Sequence, residues 1–303
     1  MLRFPAIALA VAFAAITVAA QAPTLYLVPD GPVANLYYGN IQVKPVRLRP
    51  GTNTPITIDD TDFFVSEHYI DFLNRFADPP GMNYWVGTFS SCGTDASCIF
   101  GRRISVSAAF FIELEFQDTG SYVYRFYAGT LGRQPVFGEF MPDRQQVVGG
   151  SNLDASKAAF ADAWVQRAAF LAKYPANMAN DQFVNAVLQT MKAYDGVDLS
   201  SQSGTYIGQL NGGATRGQVV RQIVEDPAFK SAEYNPSFVL MQYFGYLRRD
   251  VDVNGYNFWL DVLNNKQPNN YRGMVCSFIT SAEYQLRFGS TVTHTNQDCS
   301  NVH

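Results

Sequence analysis

Histidine and cysteine are scarce in this 303-residue chain, with three of the first and four of the second. Spacing argues against a zinc site built from them: no Cys-x-x-Cys occurs, and His294 and His303 lie in a polar tail. Charged residues are also few, 16% of the total, and stand singly rather than in runs. With a net charge of −4 and no basic stripe, nucleic acid and anionic membrane surfaces are not expected partners. No stretch beyond residue 20 approaches the ~20 apolar residues of a membrane-spanning helix. Gly-x-Ser-x-Gly, the phosphate-cradling glycine loop and the metalloprotease histidine pair are missing as well. These absences weigh against an enzyme only in part, because the carboxylate pairs of glycosidases leave no short signature. What the chain has in quantity is apolar: 47% hydrophobic and 14% aromatic residues, enough for a large buried core.

Residues 1–20 read as a secretory signal peptide. Arg3 supplies the positive charge, Phe4 to Val18 the apolar run, and Val18-x-Ala20 the small-residue cleavage site. An uncleaved anchor is the alternative, disfavoured because no basic stop-transfer flank follows. No cysteine follows the run either, so lipoprotein processing is not expected. Cleavage removes Arg3, makes the mature chain one unit more negative and leaves no transmembrane segment. The expected location is secreted, periplasmic or cell-surface.

All four cysteines, Cys92, Cys98, Cys276 and Cys299, lie beyond this leader. An even number in an exported chain reads as two disulfides. Three connectivities are possible. Pairing Cys92 with Cys98 and Cys276 with Cys299 is preferred because each bridge is then local to one module. The first would close a Gly-Thr-Asp turn. The second would tie the tail, residues 290–303, to the last helical module, with a loop-closure contribution of about 3 kcal/mol.

A gapless self-match runs through the chain at an offset of 174 residues. Phe64-Val65, Tyr69, Leu73, Arg75, Asp78, Gly81 and Tyr84-Trp85 align with Phe238-Val239, Tyr243, Leu247, Arg249, Asp252, Gly255 and Phe258-Trp259. A weaker match follows at 168, where Phe110 to Phe116 resembles Phe278 to Tyr284; the missing six residues suit an insertion carrying Cys92 and Cys98. Phe64, Val65, Tyr69, Phe72, Leu73 and Phe76 recur at helical spacing, and Asp78-Pro79 reads as a cap followed by a first helical turn. Trp85 and Trp259, with Tyr69, Tyr243, Leu73 and Leu247, are therefore expected in the core, each tryptophan plugging the angle between two helices.

Between these tracts Tyr122, Arg125, Phe126, Leu131 and Gly132-Arg133-x-Pro135 look like a divergent third opening of the motif. Lys157 to Tyr174 reads as one amphipathic helix stopped by Pro175. Further helices start at Asn180-Asp181, Thr215 and Asp226-Pro227. Thr24 to Val28 and Ile41 to Val46 alternate as strands do. The expected fold is all-α. A compact multi-helix domain spans residues 61–289, with helix-pair units near 62–116 and 236–288 and a divergent middle over 117–234. A short extended or β-hairpin arm occupies 21–60.

Asp62-x-Phe64-Val65-x-x-x-Tyr69-x-Asp71-Phe72-Leu73-Asn74-Arg75, then Asp78-x-x-Gly81-x-x-Tyr84-Trp85, resembles the domain-of-unknown-function 4214 family of bacterial exported proteins. So do Phe238 to Arg249, Glu139 to Asp143 and Phe278 to Tyr284, and the likeness covers residues 60–299. It implies a helical module of surface or secreted proteins, one often placed beside Calx-β or calcium-binding repeat domains. It supplies no catalytic residues. This chain departs from that pattern in carrying only a short arm where a β-sandwich would sit.

Two local patterns could carry chemistry. Asp250-x-Asp252-x-Asn254-Gly255, with Asp261 at the twelfth position, opens like a calcium loop. Asn257 at the eighth position and the short Asp261 at the twelfth favour a helix-start turn with capping acids instead. His68, Asp71 and Glu67 cluster on one helix, where a solvated face is the expected setting. The functional expectation is a non-catalytic interaction module whose exposed tyrosines bind protein or polysaccharide at the cell surface, without a cofactor. The alternatives are an enzyme or accessory protein acting on envelope polysaccharide, and a calcium-dependent adhesion module.

Overall fold

The computed structural model describes residues 25–30, 33–38, 41–43, 56–73, 75–112, 114–289, 291–300 and 302. The expected signal peptide lies outside the described residues. Two compact units divide the chain between Pro45 and Val46. In the N-terminal unit β1 (Leu25–Asp30), β2 (Val33–Tyr38) and β3 (Ile41–Val43) form an antiparallel meander. Leu25 pairs with Tyr38, and Leu36 with Val43. The expected hairpin arm is thus a three-stranded sheet. The unforeseen strand is β2, whose Val-Ala-Asn-Leu-Tyr-Tyr lacks period-two alternation but whose backbone is paired on both sides.

The second unit is all-α. It opens with α1 (Thr61–Leu73), α2 (Pro79–Gly87), the long α3 (Ala96–Ile112) and the short α4 (Leu114–Asp118). Next come α5 (Gly120–Phe126), which runs into a π-helical turn at Tyr127–Leu131, and α6 (Phe137–Arg144). The middle holds α7 (Leu153–Trp164), α8 (Ala168–Lys173), α9 (Asn180–Asp195), α10 (Ser203–Asn211) and α11 (Arg216–Val224). Then α12 (Pro227–Ala232) leads into α13 (Tyr234–Gln242), with a second π-helical turn at Tyr243–Leu247. Last are α14 (Val253–Asp261), α15 (Tyr271–Ile279) and α16 (Ala282–Gln285). Among the described residues no helix is long and apolar enough to cross a membrane.

The predicted caps are in place. Asp78 and Asp252 each accept a 2.7 Å hydrogen bond, from the Gly81 and Gly255 amides, and Thr215 forms a capping box with Gln218. These satisfy amide hydrogens that a helix start leaves without partners. One helix differs from expectation: the run from Lys157 to Tyr174 breaks between α7 and α8. Arg167 is extended there (ψ 144°), and its guanidinium reaches Asp143 at 2.5 and 2.7 Å. A pairing made far along the chain overrides the local helical pattern.

The same contacts occur three times. Helices α2, α6 and α14 start at Pro79, Phe137 and Val253, spaced by 58 and 116 residues. Ahead of each, a tyrosine takes an aromatic ring edge-on from a later helix: Tyr69 with Phe110 at 5.0 Å, Tyr127 with Trp164 at 4.7 Å, Tyr243 with Phe278 at 5.1 Å. Six residues on, an arginine covers the tyrosine ring, Arg75 at 4.9 Å, Arg133 at 5.4 Å and Arg249 at 5.3 Å. Each arginine also donates to the carbonyl of the residue that follows it. In the first and last of these places the glycine of the cap is needed for close approach. A Cβ on Gly81 or Gly255 would lie inside the hydroxyl of Tyr69 or Tyr243.

Both disulfides form as preferred, Cys92–Cys98 with Cα atoms 5.4 Å apart and Cys276–Cys299 with 5.8 Å. The tail is held by more than sulfur. Gln285 accepts from the Thr293 and His294 amides and donates to the His294 carbonyl, and the His294 ring stacks on Phe100 at 4.8 Å. Residues at the end of the expected arm also belong to the helical unit. Ile58 is buried, and Asp59 meets Arg103 at 2.6 Å. The His294 hydrogen bond and the Arg103 charge outweigh burial and hold the Asp59 carboxyl down at about 2.

Candidate functional site

The calcium-loop residues are engaged elsewhere. Asp250 accepts from the Phe137 amide at 2.6 Å, Asp252 caps α14, and Asp261 pairs with Lys266 at 2.7 Å and accepts from Asn265. Asn254 is exposed on the first turn of α14. Among the described residues no group of three or more His, Cys, Asp or Glu is disposed to hold a metal ion. Tyr69, Tyr243 and Leu73 are buried, whereas Trp85, Trp259 and Leu247 are half-buried at the rim. Each of the two tryptophans lies against a phenylalanine, Trp85 on Phe110 at 5.4 Å and Trp259 on Phe278 at 5.8 Å.

His68, Asp71 and Glu67 do not form a solvated face; all three are buried. His68 bonds the Phe64 carbonyl through Nδ1 at 2.8 Å and Ser107 Oγ through Nε2 at 2.6 Å, and Ser107 in turn meets the Tyr246 hydroxyl. Burial pulls the imidazole down to about 4. Asp71 takes both terminal nitrogens of Arg287. The histidine–serine pair has the atoms of a nucleophile and its base, but Ser107 is wholly buried and lines none of the concavities described here. Chemistry there would have no substrate access. Sequence reasoning missed the burial because the partners Ser107 and Arg287 come from 39 and 216 residues away.

Two of the concavities carry clustered charges or amides. A cleft of about 320 Å³ lies among α6, α7 and α8, lined by Tyr127, Gly138, Glu139, Asp143, Trp164, Arg167 and Phe170. Its carboxylates are held by arginines: Glu139 by Arg133 at 2.8 and 2.9 Å, Asp143 by Arg167. The hydrogen bond from Arg133 keeps the Glu139 carboxyl below its usual range. An open groove of about 820 Å³ runs over α10, α11 and the start of α7, lined by Gln202, Gln209, Gln218, Gln222, Tyr206 and Thr205. Its amides are already ordered, Gln209 donating to Gln222 and Gln202 to Asp226, both at 2.9 Å. Burial raises Glu225 in this groove, but hydrogen bonds from Lys157 and Arg221 more than offset it and leave the carboxyl lowered.

A general acid must keep its proton near neutral pH. Glu139 and Glu225 are both pulled the other way. Glu233, which burial pushes up to about 8, sits between α12 and α13 and lines neither the cleft nor the groove. Among the tyrosines from Tyr69 to Tyr284, Tyr84 is the one that is exposed. Tyr122, Tyr243 and Tyr284 turn their rings inward against neighbouring aromatics. No family model, curated protein or solved structure matches the chain.

Proposed function

We propose that this chain is a non-catalytic, exported helical module that binds polysaccharide, or a protein, at the cell envelope or in the extracellular matrix. The observation that carries the reading is the broad groove over α10 and α11. Planar amides and hydroxyls line it in a fixed arrangement, and they suit hydrogen-bonded recognition of a polar chain. Polysaccharide is the favoured ligand, because the groove offers amides and hydroxyls, together with the charged Asp154, Arg221, Glu225 and Asp226, rather than a tyrosine-rich or apolar surface. Two local disulfides and the leader-like first twenty residues support export. The threefold recurrence of the tyrosine–arginine contact supports a build from copies of one helix-pair unit, akin to the domain-of-unknown-function 4214 family.

The test is a glycan array and a pull-down from envelope extract, both with the protein lacking residues 1–20. The expected result is retention of a polysaccharide, weakened by Gln209→Ala with Gln222→Ala. Retention of nothing in either measurement would remove the reading.

A further inference from the structure

The seventh residue of α2 is Trp85 and the seventh of α14 is Trp259, each laid against a phenylalanine from a later helix. The seventh residue of α6 is Asp143. At the third position, where α2 and α14 carry Gly81 and Gly255, α6 carries Glu139. The middle unit therefore has two carboxylates at the places that elsewhere hold an indole and a close-packed glycine. Around them lies the cleft of about 320 Å³. Packing does not require this version, since the fold closes the same place with tryptophan twice. Holding carboxylates and guanidinium groups partly out of water is costly unless they gain something by it.

From this we infer that the cleft binds one neutral sugar residue, an inference that rests on the polysaccharide reading above. Each charge in the cleft is compensated. Arg133 grips Glu139 with two nitrogens, Arg167 grips Asp143 likewise, and Asp143 also accepts from the Tyr127 hydroxyl at 2.6 Å. An anionic ligand would have to compete with those carboxylates, and a cation with the arginines. A neutral polyol breaks neither pair: its hydroxyls accept from guanidinium edges and donate to carboxylate edges held at fixed spacing. Trp164 and Phe170 are buried behind these pairs, and the exposed Pro142 and Ala169 with the half-buried Leu131 offer the apolar edge that a sugar ring would meet.

Gly138 allows a clean test. It lines the cleft, and a Cβ built on it meets nothing within 4 Å, so Gly138→Leu adds bulk at the mouth from an open starting point. In a helix the change also favours folding. Binding of glucose, galactose, N-acetylglucosamine and glucuronate would be followed by saturation-transfer NMR and titration calorimetry, with circular dichroism to show that α-helix content is kept. The expected result is that a neutral sugar binds, glucuronate binds about tenfold or more weaker, and Gly138→Leu loses at least about tenfold in affinity. Gln297→Ala, exposed on the tail and outside both the cleft and the groove, leaves this monosaccharide affinity unchanged. Full affinity in folded Gly138→Leu overturns the cleft as the site and leaves the module reading standing. So does a wild-type protein that retains polysaccharide on the array yet binds none of the neutral monosaccharides. Glucuronate binding as tight as the neutral sugars overturns the ligand class. A protein that retains no glycan at all overturns the cleft together with the polysaccharide reading.

Discussion

Asp71 and Arg287, 216 residues apart, form a two-pronged ion pair with nitrogen–oxygen distances of 2.8 and 2.9 Å. The pair fastens α1 to the segment after α16, and Arg287 also donates to the Tyr246 carbonyl at 2.7 Å. Asp71 is buried while Arg287 keeps partial access to water. Removing Arg287 leaves Asp71 with Arg248 alone, at 3.7 Å, and removing Asp71 strands both arginines; breaking a fully buried pair costs about 3–5 kcal/mol. Asp71→Ala is expected near the low end, at about 3 kcal/mol, since the stranded arginines can still be hydrated. Urea unfolding of Asp71→Ala, Arg287→Met and the double variant measures the coupling. A double variant no better than the sum of the singles would show that the two do not act as a pair.

Glycine at the caps of α2 and α14 is a packing requirement rather than a flexible point. Gly255→Ala places a methyl group against the Tyr243 hydroxyl and the Asp252 carboxylate, and Gly81→Ala does the same against Tyr69 and Asp78. Each is expected to destabilise by about 1–3 kcal/mol, the range for overpacking. Gly204→Ala is the control, because a Cβ there meets nothing within 4 Å. Thermal unfolding of the three separates steric cost from helix propensity: equal melting temperatures for Gly255→Ala and Gly204→Ala would contradict the contact.

These glycines show what a sequence can disclose. Asp78-x-x-Gly81 and Asp252-x-x-Gly255 announce a capped helix through local chemistry, and the structure places both caps as expected. Cys92 and Cys98 are close in sequence, so their pairing was also legible. What was not legible depends on distant partners. The extended backbone at Arg167 follows from Asp143, 24 residues earlier, and the burial of His68 follows from Ser107 on another helix. The cleft was hidden for a related reason. Its position becomes visible only once Asp143 is set beside Trp85 and Trp259 on matching helices.

The two disulfides should differ in weight. Loop-closure entropy gives about 3 kcal/mol for Cys276–Cys299, with a sequence separation of 23, and about 2 kcal/mol for Cys92–Cys98, with a separation of 6. Gln285 and the Asp59–His294 contact also hold the tail, so Cys276→Ser with Cys299→Ser is expected to lower the unfolding midpoint without releasing residues 291–300. Hydrogen exchange at the His294 amide checks this. Exchange as fast as in an unfolded chain would mean that sulfur alone secures the tail.

The Asp252 carboxylate separates the capping and calcium readings of its loop. As a cap it satisfies the Gly255 amide, a role whose loss costs about 1 kcal/mol in Asp→Ala exchanges. Asp252→Ala is therefore expected to lower the melting temperature by the same amount with calcium or with chelator. Calcium-dependent stabilisation of the wild type that disappears in Asp252→Ala would restore the metal reading.

Stability should also fall on the alkaline side, through Glu233. Its Oε2 atom and Asp195 Oδ2 are both buried without a hydrogen-bond donor, a need that one proton between the two carboxyls would meet. Burial first, and then Asp195, push the Glu233 carboxyl up to about 8, while the Tyr124 hydroxyl and the Arg125 charge oppose the rise. Tyr194 and Tyr256, from α9 and α14, face the same group, and neither releases its own proton in this range because burial raises both. A carboxyl raised on folding binds its proton more tightly in the native state. Its contribution is complete below the ordinary value of 4.5 and is lost as pH climbs through about 8. His68, lowered to about 4, acts in the opposite sense, its contribution being lost as pH falls from 6.5 towards 4. Glu233→Gln keeps the donor and cannot ionise, so it is expected to match the wild type near pH 4 and to exceed it at pH 9. Unfolding free energies at the two pH values decide the matter, and an unchanged alkaline decline in Glu233→Gln would place its origin elsewhere.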